Sequence, residues 1–175
     1  DRLDSYHCRS ALEEEQVLRE ITQEIILAAM ARTDFFQRAC FQGGTCLRIF
    51  HGIDRFSEDL DFSLRQPDAA FEAKGYLNSL VKELVAYGYP LEVEDRSKAA
   101  QAVRIAFLKD DSLGKLLRLS YKPLTGPLRK LRVKLEVDTN SPAGASTEMK
   151  YLDFPFPSAV CVLDLPSLFA GKVHA

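Results

Sequence analysis

Ala39-Cys40-Phe41-Gln42-Gly43-Gly44-Thr45 is followed, after thirteen intervening residues, by Asp59-Leu60-Asp61-Phe62-Ser63-Leu64, and these two segments decide how the chain folds. Ala39 to Gln42 reads as a short apolar strand, the two glycines break it, and Thr45 to His51 reads as a short helix ended near Gly52. In the second segment Leu60, Phe62 and Leu64 alternate with Asp59, Asp61 and Ser63. That is the period of a strand with one face in the core and the other bearing acids. The unit is strand, glycine turn, helix, acidic strand.

On its N-terminal side, Ser10-Ala11-Leu12-Glu13 reads as a capping box, and Leu18, Ile21, Ile25 and Ala28 recur behind it at helical spacing, so a first helix is expected to about Ala31. On the C-terminal side, Pro67 is expected to start a long helix with a buried stripe of Leu77, Leu80, Val81, Leu84 and Val85 and a stop at Gly88. Strands are expected over residues 91–94, 103–108, 116–121 and 131–137, joined by connections that suit antiparallel neighbours. In the last of these, Leu131, Val133, Leu135 and Val137 alternate with Arg132, Lys134, Glu136 and Asp138, so Lys134 and Glu136 project from one face. A loop with Pro142 and Gly144, a strand around residues 160–163 and a helix from near Pro166 complete the pattern. The fold class expected is α/β (α+β), a mixed, largely antiparallel sheet packed against helices.

Composition agrees with a single globular domain over residues 1–175, since 46% hydrophobic residues in 175 suffice for one buried core. The chain begins at Asp1 rather than Met and stops at Ala175 inside a helical pattern, so a fragment of a longer protein is expected. No apolar run approaches the roughly 20 residues of a membrane-spanning helix, and the N-terminus lacks the layout of a signal peptide. A cytoplasmic protein with no membrane partner is expected. Cys8, Cys40, Cys46 and Cys161 form no CxxC pair and no zinc-site spacing, which reads as buried free thiols. His7, His51 and His174 are scattered, and a structural or surface role is expected of them.

The net charge of −2 argues against a nucleic-acid coat, yet the charge is uneven. Lys109, Lys115, Arg118, Lys122, Arg129, Lys130, Arg132 and Lys134 face only Asp110 and Asp111 within their segment. Such a segment either meets phosphate or is a solvated strand face balanced by the acids near Glu13 to Glu15.

Gly43 and Gly44 let backbone approach a ligand closely, and the helix behind them presents unpaired amides to an anion such as a triphosphate, with the Thr45 hydroxyl as a further donor. Taken alone, Gly-Gly-Thr is equally a tight turn with an N-cap. Asp59 and Asp61, two apart on a strand, point to one side, where the carboxylates repel unless a divalent cation neutralises them; the alternative is a solvent-washed acidic edge. Mg²⁺ suits such oxygen donors. Glu136 offers a third carboxylate, and two ions bridging attacking and leaving oxygens would support in-line phosphoryl displacement.

Gly43-Gly44-Thr45-x-Leu47 followed by Arg55-x-Ser57-x-Asp59-x-Asp61-Phe62 resembles the signature of the AbiEii/AbiGii toxin family of nucleotidyltransferases. The likeness is sharp over residues 41–62. It extends more loosely to Val133-Lys134-Leu135-Glu136, similar to the strand bearing the third acid, and to Ala170-Gly171-Lys172-Val173-His174-Ala175, similar to a later helical motif with a nucleotide-contacting lysine. The resemblance implies further helices beyond Lys172 that carry an arginine and aspartate motif, and that motif has no counterpart in these residues.

The resemblance implies that Asp59, Asp61 and Glu136 hold Mg²⁺ or Mn²⁺, that Glu136 helps deprotonate the acceptor, and that Gly43, Gly44, Thr45 and Ser57 contact the phosphates of an NTP. Lys172 would neutralise triphosphate charge; read by itself it is equally an exposed lysine on a terminal helix. Arg55 either reaches phosphate or pairs with a nearby acid to fix its loop. Phe62 reads as core. The implied function is transfer of a nucleoside monophosphate from NTP to an acceptor, the 3′ end of tRNA in characterised relatives, by the toxin of a toxin–antitoxin or phage-defence system with a cognate antitoxin. Transfer to a protein or small molecule, or an inactive domain that binds nucleotide or antitoxin, are the alternatives.

Overall fold

A computed structural model describes residues 2–89, 91–95, 103–110 and 131–174. Helix α1 (Ala11–Ala31) starts as its capping pattern requires, with Ser10 extended and its hydroxyl accepting the Glu13 N–H at 3.2 Å. The Glu13 carboxylate reaches past Ser10 to accept the Arg9 N–H at 2.8 Å, so the returning half of the box falls one residue earlier. Behind the cap α1 is buried on nearly every side, Val17, Ile21, Ile25, Ile26, Leu27 and Ala28 all being at most 2% exposed. A helix covered on so many sides lies inside a fold rather than on it.

The remaining elements are α2 (Phe35–Arg38), β1 (Ala39–Gln42), α3 (Gly43–His51), β2 (Asp59–Leu64), α4 (Lys74–Ala86), β3 (Glu92–Asp95), β4 (Val103–Asp110), β5 (Leu131–Asp138), β6 (Thr147–Leu152), β7 (Ser158–Leu163) and α5 (Leu165–His174). The described strands form one seven-stranded sheet in the order β3-β4-β5-β2-β1-β7-β6. β2 runs parallel to β5 and β1 parallel to β7, while the other neighbours are antiparallel. This is the mixed, largely antiparallel sheet with helices that the strand pattern implies. α1 packs on α4 and against β5 and β7, and α3 packs on β1, β2 and α5.

Phe62 anchors the centre of the sheet. Its ring lies 5.0 Å from Phe35 and 5.3 Å from Phe41, its register partner on β1. The charged residues that α1 carries inside are paired: Glu20 accepts from Arg48 Nε at 2.8 Å and from the Tyr6 hydroxyl at 2.9 Å, and Glu24 accepts from Arg2 Nε at 3.1 Å. Without such partners, burying a carboxylate would cost several kcal/mol.

The long fourth helix begins at Lys74, not at Pro67. Asp68 holds the intervening residues in a turn: its carboxylate accepts the Ala70 N–H at 2.9 Å and Arg38 at 2.8 Å, and its own N–H donates to the Thr139 carbonyl at 3.0 Å. Leu77, Leu80 and Leu84 are buried as expected, whereas Val85 is 56% exposed. β6 is an addition to the expected strands; half of its residues are exposed and only Leu152 is buried, so it carries little apolar alternation. The expected strand at 116–121 lies outside the described residues. All four cysteines are free. Among the described residues no helix is long and apolar enough to cross a membrane.

Candidate active site

One local rule and one non-local pairing bring the acids together. Period-two alternation puts Asp59 and Asp61 on one face of β2, and the parallel ladder pairs Asp61 with Glu136 and Asp59 with Lys134. Neighbouring strands lie about 4.8 Å apart, so side chains in register on one face fall within reach of a single ion. One carboxylate oxygen from each of Asp59, Asp61 and Glu136 lies within 4.8 Å of the other two. These are hard oxygen donors, the set that suits Mg²⁺ or Mn²⁺.

The electrostatics record the crowding. Burial first, and then the neighbouring charges of Asp59 and Glu136, push the Asp61 carboxyl up to about 6, with Lys172 and Lys134 opposing. Burial likewise raises Asp59, against the pull of Lys134. Lys134 donates to Glu136, Nζ to Oε1 at 2.7 Å, and that bond holds the ammonium above its ordinary value.

The glycine turn is fitted to the acids. Gly43 has φ +82°, and a Cβ there would stand 2.2 Å from Asp61 Oδ2; a Cβ on Gly44 would stand 2.9 Å from Ser57 Oγ. Side chains at either position would collide with the very groups the turn adjoins. Gln42, at the N-cap of α3, makes no side-chain hydrogen bond to the helix end. The first amides of α3 therefore keep no cap from that residue, as an anion-binding helix start requires.

Thr45 is 1% exposed and its hydroxyl donates to the Asp59 carbonyl, so its side chain fastens α3 to β2. Ser57 stands against Gly44, and its carbonyl accepts Gln23 Nε2 at 3.0 Å. Lys172, exposed on α5, lines the same pocket of about 270 Å³ as Gly43, Asp61 and Glu136. Asp164 caps α5 through its carboxylate, which accepts the Ser167 N–H at 3.0 Å, and so fixes the start of the helix that carries Lys172. Arg55 is exposed and makes no ion pair among the described residues; its loop is held instead by Arg48 to Asp54 at 3.7 Å and Arg19 to Glu58 at 2.8 Å.

The basic segment 109–134 is corrected at one end. Lys134 turns into the acids instead of presenting its charge outward, while Arg132 is exposed and residues 111–130 lie outside the described residues. Asp138 also lines the pocket and went unmarked, although it stands two residues beyond Glu136 on the same strand face. The alternation of β5 was the signal for it. Gln23 and Arg19, reaching in from α1, left no local signal.

The Asp-x-Asp strand beside a third acid, set against a glycine turn, is an arrangement that could hold a divalent cation next to an anion-binding helix start. The structure is similar to MenT4, a nucleotidyltransferase toxin from Mycobacterium tuberculosis, with TM-score 0.64 and 18% identity over 98% of this chain and 56% of that one. It is also similar to JHP933 from Helicobacter pylori, with TM-score 0.56 and 16% identity over 91% of this chain and 56% of that one. Residues 25–175 match the profile described as nucleotidyl transferase AbiEii toxin, Type IV TA system, and the chain belongs to that family. It spans little more than half the length of these solved relatives. A search of the curated proteins gave no match.

Proposed function

We propose that this chain carries the catalytic centre of a metal-dependent nucleotidyltransferase, the toxin of a type IV toxin–antitoxin pair, which moves a nucleoside monophosphate from an NTP to the 3′ end of tRNA. The observation that carries this reading is the convergence of Asp59, Asp61 and Glu136 within 4.8 Å beside the Gly43 turn.

Asp59, Asp61 and Glu136 would hold Mg²⁺ or Mn²⁺, which when bound supplies charge neutralisation of the phosphates and activation of the attacking hydroxyl. The amides of Gly43, Gly44 and Thr45 would receive triphosphate oxygens at the start of α3, with Ser57 beside them. Lys172 would balance charge on the departing pyrophosphate as a point cation. The acceptor oxygen bonds to the α-phosphorus, the bond from that phosphorus to the bridging oxygen of the β-phosphate breaks, and Glu136 takes the hydroxyl proton. Crowded carboxylates are suited to this role, because an ion and a proton both relieve the same repulsion. A cytoplasmic location, where NTP, tRNA and an antitoxin partner meet, belongs to the same reading.

The test is incubation of the protein and its Asp59→Asn variant with each NTP, radiolabelled at the α-phosphate, together with Mg²⁺ and either total tRNA or a protein extract. The expected result is label on tRNA that requires both Mg²⁺ and Asp59. Label on protein alone would replace the tRNA acceptor, and Mg²⁺-dependent nucleotide binding without any transfer would leave a binding domain.

A further inference from the structure

Lys134 stands inside the acidic cluster. It projects from the same face of β5 as Glu136, pairs in register with Asp59 across the parallel ladder, and brings Nζ to 2.7 Å from Glu136 Oε1. Its side chain is 31% exposed and that of Glu136 26%, so the pair is half-sheltered and less screened by salt than a surface bridge. The contact uses an oxygen of a carboxylate that belongs to the candidate metal set. An ammonium and a divalent ion there would compete for one anionic group and repel each other.

We propose that Lys134 is a built-in counter-cation, which holds the three carboxylates assembled in the metal-free protein and is exchanged off Glu136 when a divalent ion enters. This rests on the reading of Asp59, Asp61 and Glu136 as a metal centre. Three carboxylates this close drive one another apart unless a positive charge lies among them. A tethered ammonium supplies that charge without occupying the whole site, since a lysine is a compact point charge on a flexible stem and can swing away. Metal entry is then a cation exchange, and the affinity for a free divalent ion is set lower than the acids alone would give. The site stays in shape when metal is scarce. Lys134 thus competes with the incoming ion for Glu136.

The opposite signs of two roles make the test sharp. A lysine that merely supports the fold would, on removal, loosen the ligands and weaken metal binding; a counter-cation, on removal, strengthens it. Mn²⁺ alone is titrated into the protein and into Lys134→Met, Lys134→Gln and Asp61→Asn, with binding read from water-proton relaxation. The expected result is specific binding lost in Asp61→Asn and about tenfold tighter in Lys134→Met, the equivalent of about 1.4 kcal/mol. Thermal melts in chelator should show Lys134→Met below the parent protein, with the gap closed by saturating Mn²⁺. Lys134→Gln carries the same expectation if the methionine variant does not fold. Mn²⁺ affinity unchanged or weakened by both lysine variants, with Asp61→Asn still abolishing it, would overturn the exchange and leave the metal centre standing. Mn²⁺ binding untouched by Asp61→Asn would remove the metal centre and the proposal together.

Discussion

Asp61 concentrates the chemistry of the site in one carboxyl group, pushed up to about 6 by burial and by Asp59 and Glu136. In the metal-free protein the folded state then holds a proton that the unfolded chain releases at lower pH. The contribution of this group to stability is fully present in acid, below the ordinary carboxylate range, and is lost as pH rises through about 6. Thermal melts in chelator across that window should show the parent protein losing stability relative to Asp61→Asn as pH rises. A constant difference between the two would contradict the assignment. Much at this scale was legible in the sequence, because Asp59, Asp61 and Glu136 need only strand alternation, and Gly43 and Gly44 need only the absence of a side chain. Lys134 was legible in its direction and only partly in its company. Alternation puts Lys134 on one face with Glu136, and only the register between β2 and β5 says that Asp59 is waiting there.

Elements turn these residues into a site by fixing β2. Phe62 lies between the two acids and Leu64 on that strand, is 1% exposed, and meets Phe35 and Phe36 from α2 as well as Phe41 from β1. The opposite pleats of one strand thus carry the chemistry and its anchor. Phe62→Ala should cost about 4 kcal/mol in urea unfolding, through lost burial and the cavity left behind; a loss well under about 1 kcal/mol would show that the strand is held by something else. Elements with their own punctuation were legible: α1 from Ser10 and Glu13, α3 from its glycines, β5 from a full alternation. Others depend on partners distant in sequence. The start of α4 yields to the bonds that Asp68 makes with Arg38 and Thr139, and β6 exists because β7 pairs with it, with Met149 and Tyr151 left exposed. No local pattern announces either.

For the whole molecule, the sheet order β3-β4-β5-β2-β1-β7-β6 places β2 and β5 side by side, although the chain runs through α4, β3 and β4 between them. That non-local pairing makes the site: alternation offered Glu136 as a third carboxylate, but not the register that seats it beside Asp61. α5 then lines one side of the pocket, placing Lys172 beside Asp61 and Glu136 in its lining. Crystals of the full chain grown with Mn²⁺ and a non-hydrolysable NTP would show whether these pieces act together, since anomalous scattering locates the metal directly. The expected result is Mn²⁺ bound by Asp59, Asp61 and Glu136, with triphosphate oxygens against the amides of Gly43 to Thr45. Nucleotide seated elsewhere, or Mn²⁺ absent from the three carboxylates at saturating concentration, would contradict the account.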